Sequence, residues 1–135
     1  MGSTLRRADL LFERRRRSVT SFGTGFPLCY LGVRGRRTGV ERAVPLLYVA
    51  DGARVVLFGS NWGKRHHPAW ALNLEAAGAA TVTIDGVSRR MTARRATSGE
   101  RDRYWSLAVE MWPGYDGYRR RAGREIRVYV LEPWT

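Results

Sequence analysis

The sequence predicts a mainly β protein with helices, an α+β chain in which about six antiparallel strands close into a small barrel. Three observations carry that reading. The dipeptides Asp51-Gly52 and Asp85-Gly86 each stand between apolar runs, and two-residue hairpins favour such pairs because glycine tolerates the positive φ they need. The short apolar runs outnumber what one flat sheet beside one helix requires, and closing them removes exposed edges. Helical periodicity is confined to short segments near the start, after Pro68 and after Thr97.

Residues 4–22 place Leu5, Ala8, Leu11 and Phe12 at helical spacing, followed by Arg14, Arg15, Arg16 and Arg17. The expectation is a basic amphipathic helix over residues 1–22 that covers one end of the barrel with its arginines solvated. The same pattern can lie on anionic lipid, as a peripheral membrane contact. Gly23-Thr24-Gly25-Phe26-Pro27 breaks it, so the barrel domain is read as 23–135. Residues 28–34 form a buried strand that ends at Gly35-Arg36-Arg37-Thr38-Gly39. Residues 42–50 form the next, with Pro45 marking an edge or bulge. A short strand over 55–58 delivers Gly59-Ser60-Asn61-Trp62-Gly63 to a loop, where small residues let a flat ligand reach the backbone.

Pro68 suits the first position of a helix, Trp70, Asn73, Leu74 and Ala77 repeat at its spacing, and Gly78 ends it. Residues 80–85 and 87–96 form a hairpin whose second strand alternates arginines, read as an exposed face. Thr97 and Glu100 spell a capping box. The helix they start carries Tyr104, Leu107, Ala108 and Met111 and stops before Pro113. Trp112-Pro113-Gly114-Tyr115-Asp116-Gly117-Tyr118 is an aromatic loop or broken helix, and residues 126–131 supply the last strand.

The chain has 135 residues, enough for one domain, and a formal charge of +12 from 24 basic against 12 acidic residues. Every basic residue except Lys64 is arginine, whose planar fork suits phosphate and carboxylate. Such a surface equally suits nucleic acid or anionic lipid. The single cysteine, Cys29, excludes an internal disulfide and fits a reducing compartment. No apolar run approaches the roughly 20 residues that span a bilayer, and the N-terminus lacks a signal-peptide core. The expected location is the cytoplasm, at most against the inner membrane face.

Two devices for holding an anion lie on either side of the hairpin. The Gly35–Gly39 turn combines two guanidinium groups, a hydroxyl and backbone N–H groups. The second device is the helix start at Pro68, preceded by Lys64 and Arg65, where unpaired N–H groups and the macrodipole favour negative charge. Together they suit one phosphorylated cofactor.

The series GRRTGVERAVPLLYVADGARVVLFGSNWGKRHHPAWALNLEA, followed by MWPGYDGY, resembles the deazaflavin-dependent nitroreductase family of actinobacterial F420-dependent reductases. The resemblance runs from about Leu31 to the C-terminus, with several motifs in the family's order. It implies an FMN-binding-like split β-barrel and coenzyme F420, a deazaflavin with a phosphate and an oligoglutamate tail. The implied cofactor contacts are Arg36, Arg37, Thr38, Gly39, Arg42, Ser60, Lys64, Arg65, Pro68, Trp70 and Asn73. The implied substrate pocket comprises Trp112, Tyr115 and Tyr118, with Trp62 as a loop aromatic beside it. The resemblance implies hydride transfer to a quinone, nitroaromatic or enone, with Tyr115, Tyr118 or Ser60 donating a proton or hydrogen bond. Two positions depart from the family pattern. Trp112 stands where tyrosine is common, and Ala71 where a larger aromatic is often found, so acceptor range does not transfer.

Other readings are blander. His66 and His67 are adjacent and point apart, with no further histidine, so no metal is expected. Cys29 reads as a small buried hydrophobe, and Trp70 and Trp105 fall at helical positions that normally mean core. A basic nucleic-acid-binding barrel, or a carrier of F420, FMN or haem, is the rival class. Nucleic acid is not the expected partner. Split barrels often pair, which makes a homodimer a further expectation.

Overall fold

The computed structural model describes residues 27–134, so the helix expected over residues 1–22 lies outside the described residues. Strands β1 (Leu28–Arg34), β2 (Glu41–Leu47), β3 (Val49–Asp51), β4 (Arg54–Phe58), β5 (Ala79–Ile84), β6 (Val87–Arg95) and β7 (Val128–Pro133) form one sheet. Helices α1 (Ala69–Ala77), α2 (Ser98–Met111) and α3 (Tyr115–Ala122) complete the described fold, with a 3-10 turn over Asn61–Gly63. The strand order is β2-β1-β5-β6-β7-β4-β3, antiparallel throughout, and the sheet curls into a half-barrel.

The count exceeds six because the run expected as one strand over 42–50 breaks at Tyr48. Its first part, β2, pairs with β1, and its second, β3, pairs with β4, so one stretch supplies both edges of the sheet. Tyr48 sits at the corner, 0% exposed, and its side chain joins the inner core. Pro45 lies on edge strand β2, where a missing ladder donor is tolerated.

Two apolar clusters lie on opposite faces of the sheet. Cys29, Leu31 and Val33 of β1 alternate with exposed positions and join Val82 and Ile84, Val55 and Leu57, and Ala71 and Leu74 of α1 inside the curl. Val56 and Phe58 of β4, with Val128 and Val130 of β7, face the other way, against Tyr104, Ala108 and Trp112. Strands β4 and β7 are therefore buried on both faces, which explains why their sequences are continuously apolar rather than alternating. Burial pushes the Cys29 thiol up to about 12, so it packs as a neutral group.

The turns follow the local chemistry with one shift. Asp85-Gly86 closes the β5–β6 hairpin between Ile84 and Val87, with φ of 52° and 78°. In the β3–β4 hairpin the turn residues are Gly52 and Ala53, because Asp51 still pairs with Arg54 across the ladder. Asp51 Oδ2 accepts the Tyr104 hydroxyl at 2.5 Å and Arg103 Nη2 at 2.9 Å, and these bonds draw it to α2. Pro68 is the N-cap of α1 rather than its first helical residue.

The capping box forms as expected. Thr97 N donates to Glu100 Oε1 at 2.9 Å, and Glu100 N to Thr97 Oγ1 at 3.3 Å. Glu100 also takes Arg94 at 2.7 Å, and Glu132 bridges Arg94 at 3.2 Å and Arg54 at 3.0 Å. Arg95 and Arg127 both pair with Glu75. The arginines of β6 are thus not a merely solvated face, since Arg94 and Arg95 fasten it to α2, β7 and α1.

The Arg94 guanidinium, followed by the Thr97 N–H, lowers the Glu100 carboxyl from 4.5 to about 2. The stability this contributes is present above pH 4.5 and is lost as pH falls toward 2. Denaturant melts between pH 2 and 7 should therefore show a steeper acid-side loss for the parent than for Glu100→Gln. The variant should also cost up to about 1 kcal/mol at neutral pH through its lost ion pair with Arg94, since glutamine keeps the capping box.

Candidate active site

The arginine turn is closed by its own backbone. Gly35 N donates to Val40 O and Gly39 N to Gly35 O, both at 2.9 Å, and Val40 N donates to Thr38 Oγ1 at 3.2 Å. Position 35 accepts only glycine without rearrangement, because a Cβ there would lie 2.7 Å from Thr38 Oγ1. Arg36 then fastens the turn to α1. Its backbone N and its Nη1 both donate to Asn73 Oδ1, at 3.1 and 2.7 Å. The arginine turn is therefore tied by Asn73 to the helix whose N-terminus is the second expected anion device, one turn beyond that N-terminus. No side chain caps the N-terminus of α1 at Pro68, so its first turn retains donors for an anion.

Charge is distributed unevenly. Arg54, Arg94, Arg95, Arg101, Arg103 and Arg127 all meet carboxylates. Among the described residues, Arg36, Arg37, Arg42, Lys64 and Arg65 do not, and all five are exposed. The Arg34 guanidinium adds to this group, lying 3.4 Å from where a Cβ on Gly39 would stand. Cations at a backbone turn and before a helix start are of the chemistry that attracts anions.

The loop over 59–67 carries that site to the aromatic residues. Gly59 N donates to Arg127 O at 2.9 Å, which anchors the loop beside β7. Gly63 has φ of 80°, and a Cβ there would lie 3.2 Å from Tyr118 Cα, so the loop packs directly on the backbone of α3. Trp62 lies in the same 3-10 turn. Ser60 is 9% exposed and lies near enough to Tyr115 to act on its hydroxyl. Burial raises the Tyr115 pKa well above the ordinary tyrosine range, and Ser60 offsets part of the rise. The Tyr115 hydroxyl is thus a neutral proton-bearing donor at physiological pH.

Tyr115 is the centre of an aromatic cluster. Trp105 stacks on it at 5.3 Å, while Phe58 at 5.6 Å, Trp112 at 5.5 Å and Tyr118 at 5.4 Å meet it edge-on. Tyr118 is half-buried, whereas Trp112 is buried beneath the cluster at 7% exposure. Trp70 is half-buried against Tyr129, at 5.8 Å, and packs on the core. Pro68 is buried, and Asn73 is half-buried on α1. Phe58, Trp105 and Arg124 escape sequence reasoning. Phe58 stands immediately before the loop, Trp105 stands one position beyond buried Tyr104, and Arg124 acts through backbone carbonyls that carry no residue signature.

The sequence profile of the F420H(2)-dependent quinone reductases matches residues 5–133. The chain belongs to this family. A Mycobacterium tuberculosis (strain ATCC 25618 / H37Rv) protein classed as an F420H(2)-dependent quinone reductase is 31% identical over 115 residues, covering 82% of this chain and 97% of that protein. The solved structure of an F420-H2 dependent reductase (FDR-A) superposes with a TM-score of 0.72 at 31% identity, over 78% of this chain and 94% of that one. Another, described as a domain-swapped dimer, gives 0.73 at 27% identity over 93% and 94%. The curled sheet is thus the split β-barrel of the F420H(2)-dependent quinone reductases, and the chain is an F420-dependent oxidoreductase. The cations without carboxylate partners fit the phosphate and glutamate tail of that cofactor. No helix among the described residues is long and apolar enough to cross a membrane.

Because Gly63 combines positive φ with contact to α3, Gly63→Ala should destabilise the fold by about 2 kcal/mol, read by chemical denaturation. Gly114→Ala, where a Cβ meets nothing within 4 Å, is the control and should change stability little.

Proposed function

We propose that this chain reduces a quinone with electrons from reduced F420, held between the arginine turn and the 59–67 loop, with the acceptor beside Tyr115 and Tyr118. The observation that carries the reading is the set of exposed cations without carboxylate partners among the described residues, on a turn that Arg36 fastens to Asn73 of α1 and on the loop that packs on α3. Bound, reduced F420 supplies a hydride to an electron-poor acceptor.

The protein's residues do the rest. Arg36 and Arg37 take phosphate or carboxylate oxygens through their forks, and Arg36 reaches them pre-oriented by Asn73. Thr38 and Arg42 flank them, while Lys64, Arg65 and the first N–H groups of α1 attract the remaining negative charge. The rings around Tyr115 exclude water from the acceptor. Tyr115 Oη, kept protonated by burial, donates to the acceptor oxygen as charge builds there, with Ser60 orienting that hydroxyl and Tyr118 beside it. Nitroaromatics and activated enones present a comparable oxygen, so the same donor serves them. No side chain needs to act as a nucleophile.

Fluorescence titration with F420, FMN and single-stranded DNA separates this reading from a flavin carrier or a nucleic-acid barrel. Tight binding of FMN with none of F420 would overturn it. Arg36→Ala combined with Arg37→Ala should weaken F420 binding at least about 30-fold while leaving Tm nearly unchanged. Tyr115→Phe should bind F420 as the parent does and lose about 10- to 100-fold in kcat. The pH profile of kcat should show no tyrosine break below pH 10.

Arg14, Arg15, Arg16 and Arg17, with the apolar positions before them, support a peripheral contact with anionic lipid, and the domain-swapped relative supports a homodimer. Deletion of residues 1–22 should then abolish retention on anionic liposomes without altering turnover in solution, and sedimentation of the full chain should give twice the monomer mass.

A further inference from the structure

Arg124 follows Gly123, the residue that ends α3, and its guanidinium turns back into the 59–67 loop. Nε donates to Lys64 O at 3.2 Å. Nη2 donates to Gly59 O at 3.1 Å, Ser60 O at 3.2 Å and His66 O at 3.0 Å. Nη1 reaches Glu125 O at 3.3 Å and His67 Nδ1 at 3.2 Å. A guanidinium has donors only, so His67 Nδ1 must be the accepting nitrogen and the ring proton sits on Nε2. Among the described residues Arg124 meets no carboxylate; its charge is solvated by the carbonyls of one loop. A carboxylate would satisfy the cation without fixing that loop, whereas four of its carbonyls converging on one planar fork determine its shape.

We infer that Arg124 is a positioning residue, holding the 59–67 loop against the helix that carries Tyr115 and Tyr118, where Gly63 packs on the Tyr118 backbone. This rests on the reading above that the loop faces F420. The residue touches neither cofactor nor acceptor and acts through the loop backbone. Lysine cannot replace it, because an ammonium is a single point of charge that cannot span carbonyls from Gly59 to His66.

His67 makes the grip sensitive to acid. Arg127 beside β7, Arg124 after α3 and Arg95 of β6 face it with positive charge, opposed by Glu75 of α1. Burial and these arginines lower its pKa below the ordinary 6.5. Neutral His67 therefore contributes fully above about pH 6.5, and its contribution is lost as pH falls through the lower folded value. Protonation puts a second donor opposite Arg124 Nη1.

Arg124→Lys and Arg124→Gln test the inference in the full chain. The cofactor-free proteins are compared by amide hydrogen exchange at Gly63 and Lys64, and the loaded ones by F420 affinity and quinone turnover. The expected result for Arg124→Lys is a Tm close to the parent, exchange at those amides about tenfold faster, and kcat about 100-fold lower with quinone KM little changed. F420 binding by the parent should weaken as pH falls below the ordinary histidine range, and Arg124→Lys should lose that dependence. Arg124→Lys with loop exchange, F420 affinity and kcat all within twofold of the parent would overturn the inference, even if Arg124→Gln fails to fold. Failure of the site reading shows separately, as an Arg36→Ala, Arg37→Ala protein that binds F420 as tightly as the parent.

Discussion

A chain with twice as many basic as acidic side chains cannot neutralise its own arginines, and the placement of its few carboxylates decides where positive charge remains. Glu75, Glu100, Glu132 and Asp51 are committed to strands β4, β6 and β7 and to α2, where each meets one or more guanidinium groups. The turn after β1 and the approach to α1 receive none among the described residues. Positive charge is thereby left on that turn and approach, as it is on Arg119, Arg120 and Arg121 of α3. Any anion that bound there would stabilise the fold with the logarithm of its concentration over its dissociation constant.

The rest of the site is a matter of tying separate elements to that end. Asn73 joins the turn to α1, the glycine at 63 lets the loop approach α3, and buried Ser60 of that loop stands near Tyr115. Tyr115 gains its position from rings contributed by β4, α2 and α3, so no single element orients it. Its donor character follows from the same packing, since removal from water disfavours the phenolate.

Legibility in the sequence tracks the range of the interaction. The Asp85-Gly86 turn, the Thr97–Glu100 cap and the arginine turn are encoded within a few residues, and each forms where the residue types demand it. The break at Tyr48 is different. Its neighbours are apolar and extended, and only the curl of the sheet, which brings its two edges to the same stretch, makes the chain change partners there. Trp105 follows a buried tyrosine on an evident helix, yet its ring is captured by Tyr115 ten positions later. The ion pairs of Arg94 and Arg95 join strands and helices distant in sequence and leave no local pattern. Arg124 is the least legible, because every loop has carbonyls.

The burial of β4 and β7 on both faces carries one more consequence. A strand with one wet face has its alignment fixed by hydrophobic alternation, because sliding by one residue would expose every apolar side chain. Sliding β4 along β7 would instead exchange one oily face for the other, a far smaller penalty. Alignment of these two central strands must come from their polar ends, where Arg54 grips Glu132 and Asp51 is held by Tyr104. A handful of charged and hydroxyl groups at the rim thus acts as the vernier for the barrel's driest strands, and through Gly59 and Arg127 it sets the height of the loop beside Tyr115.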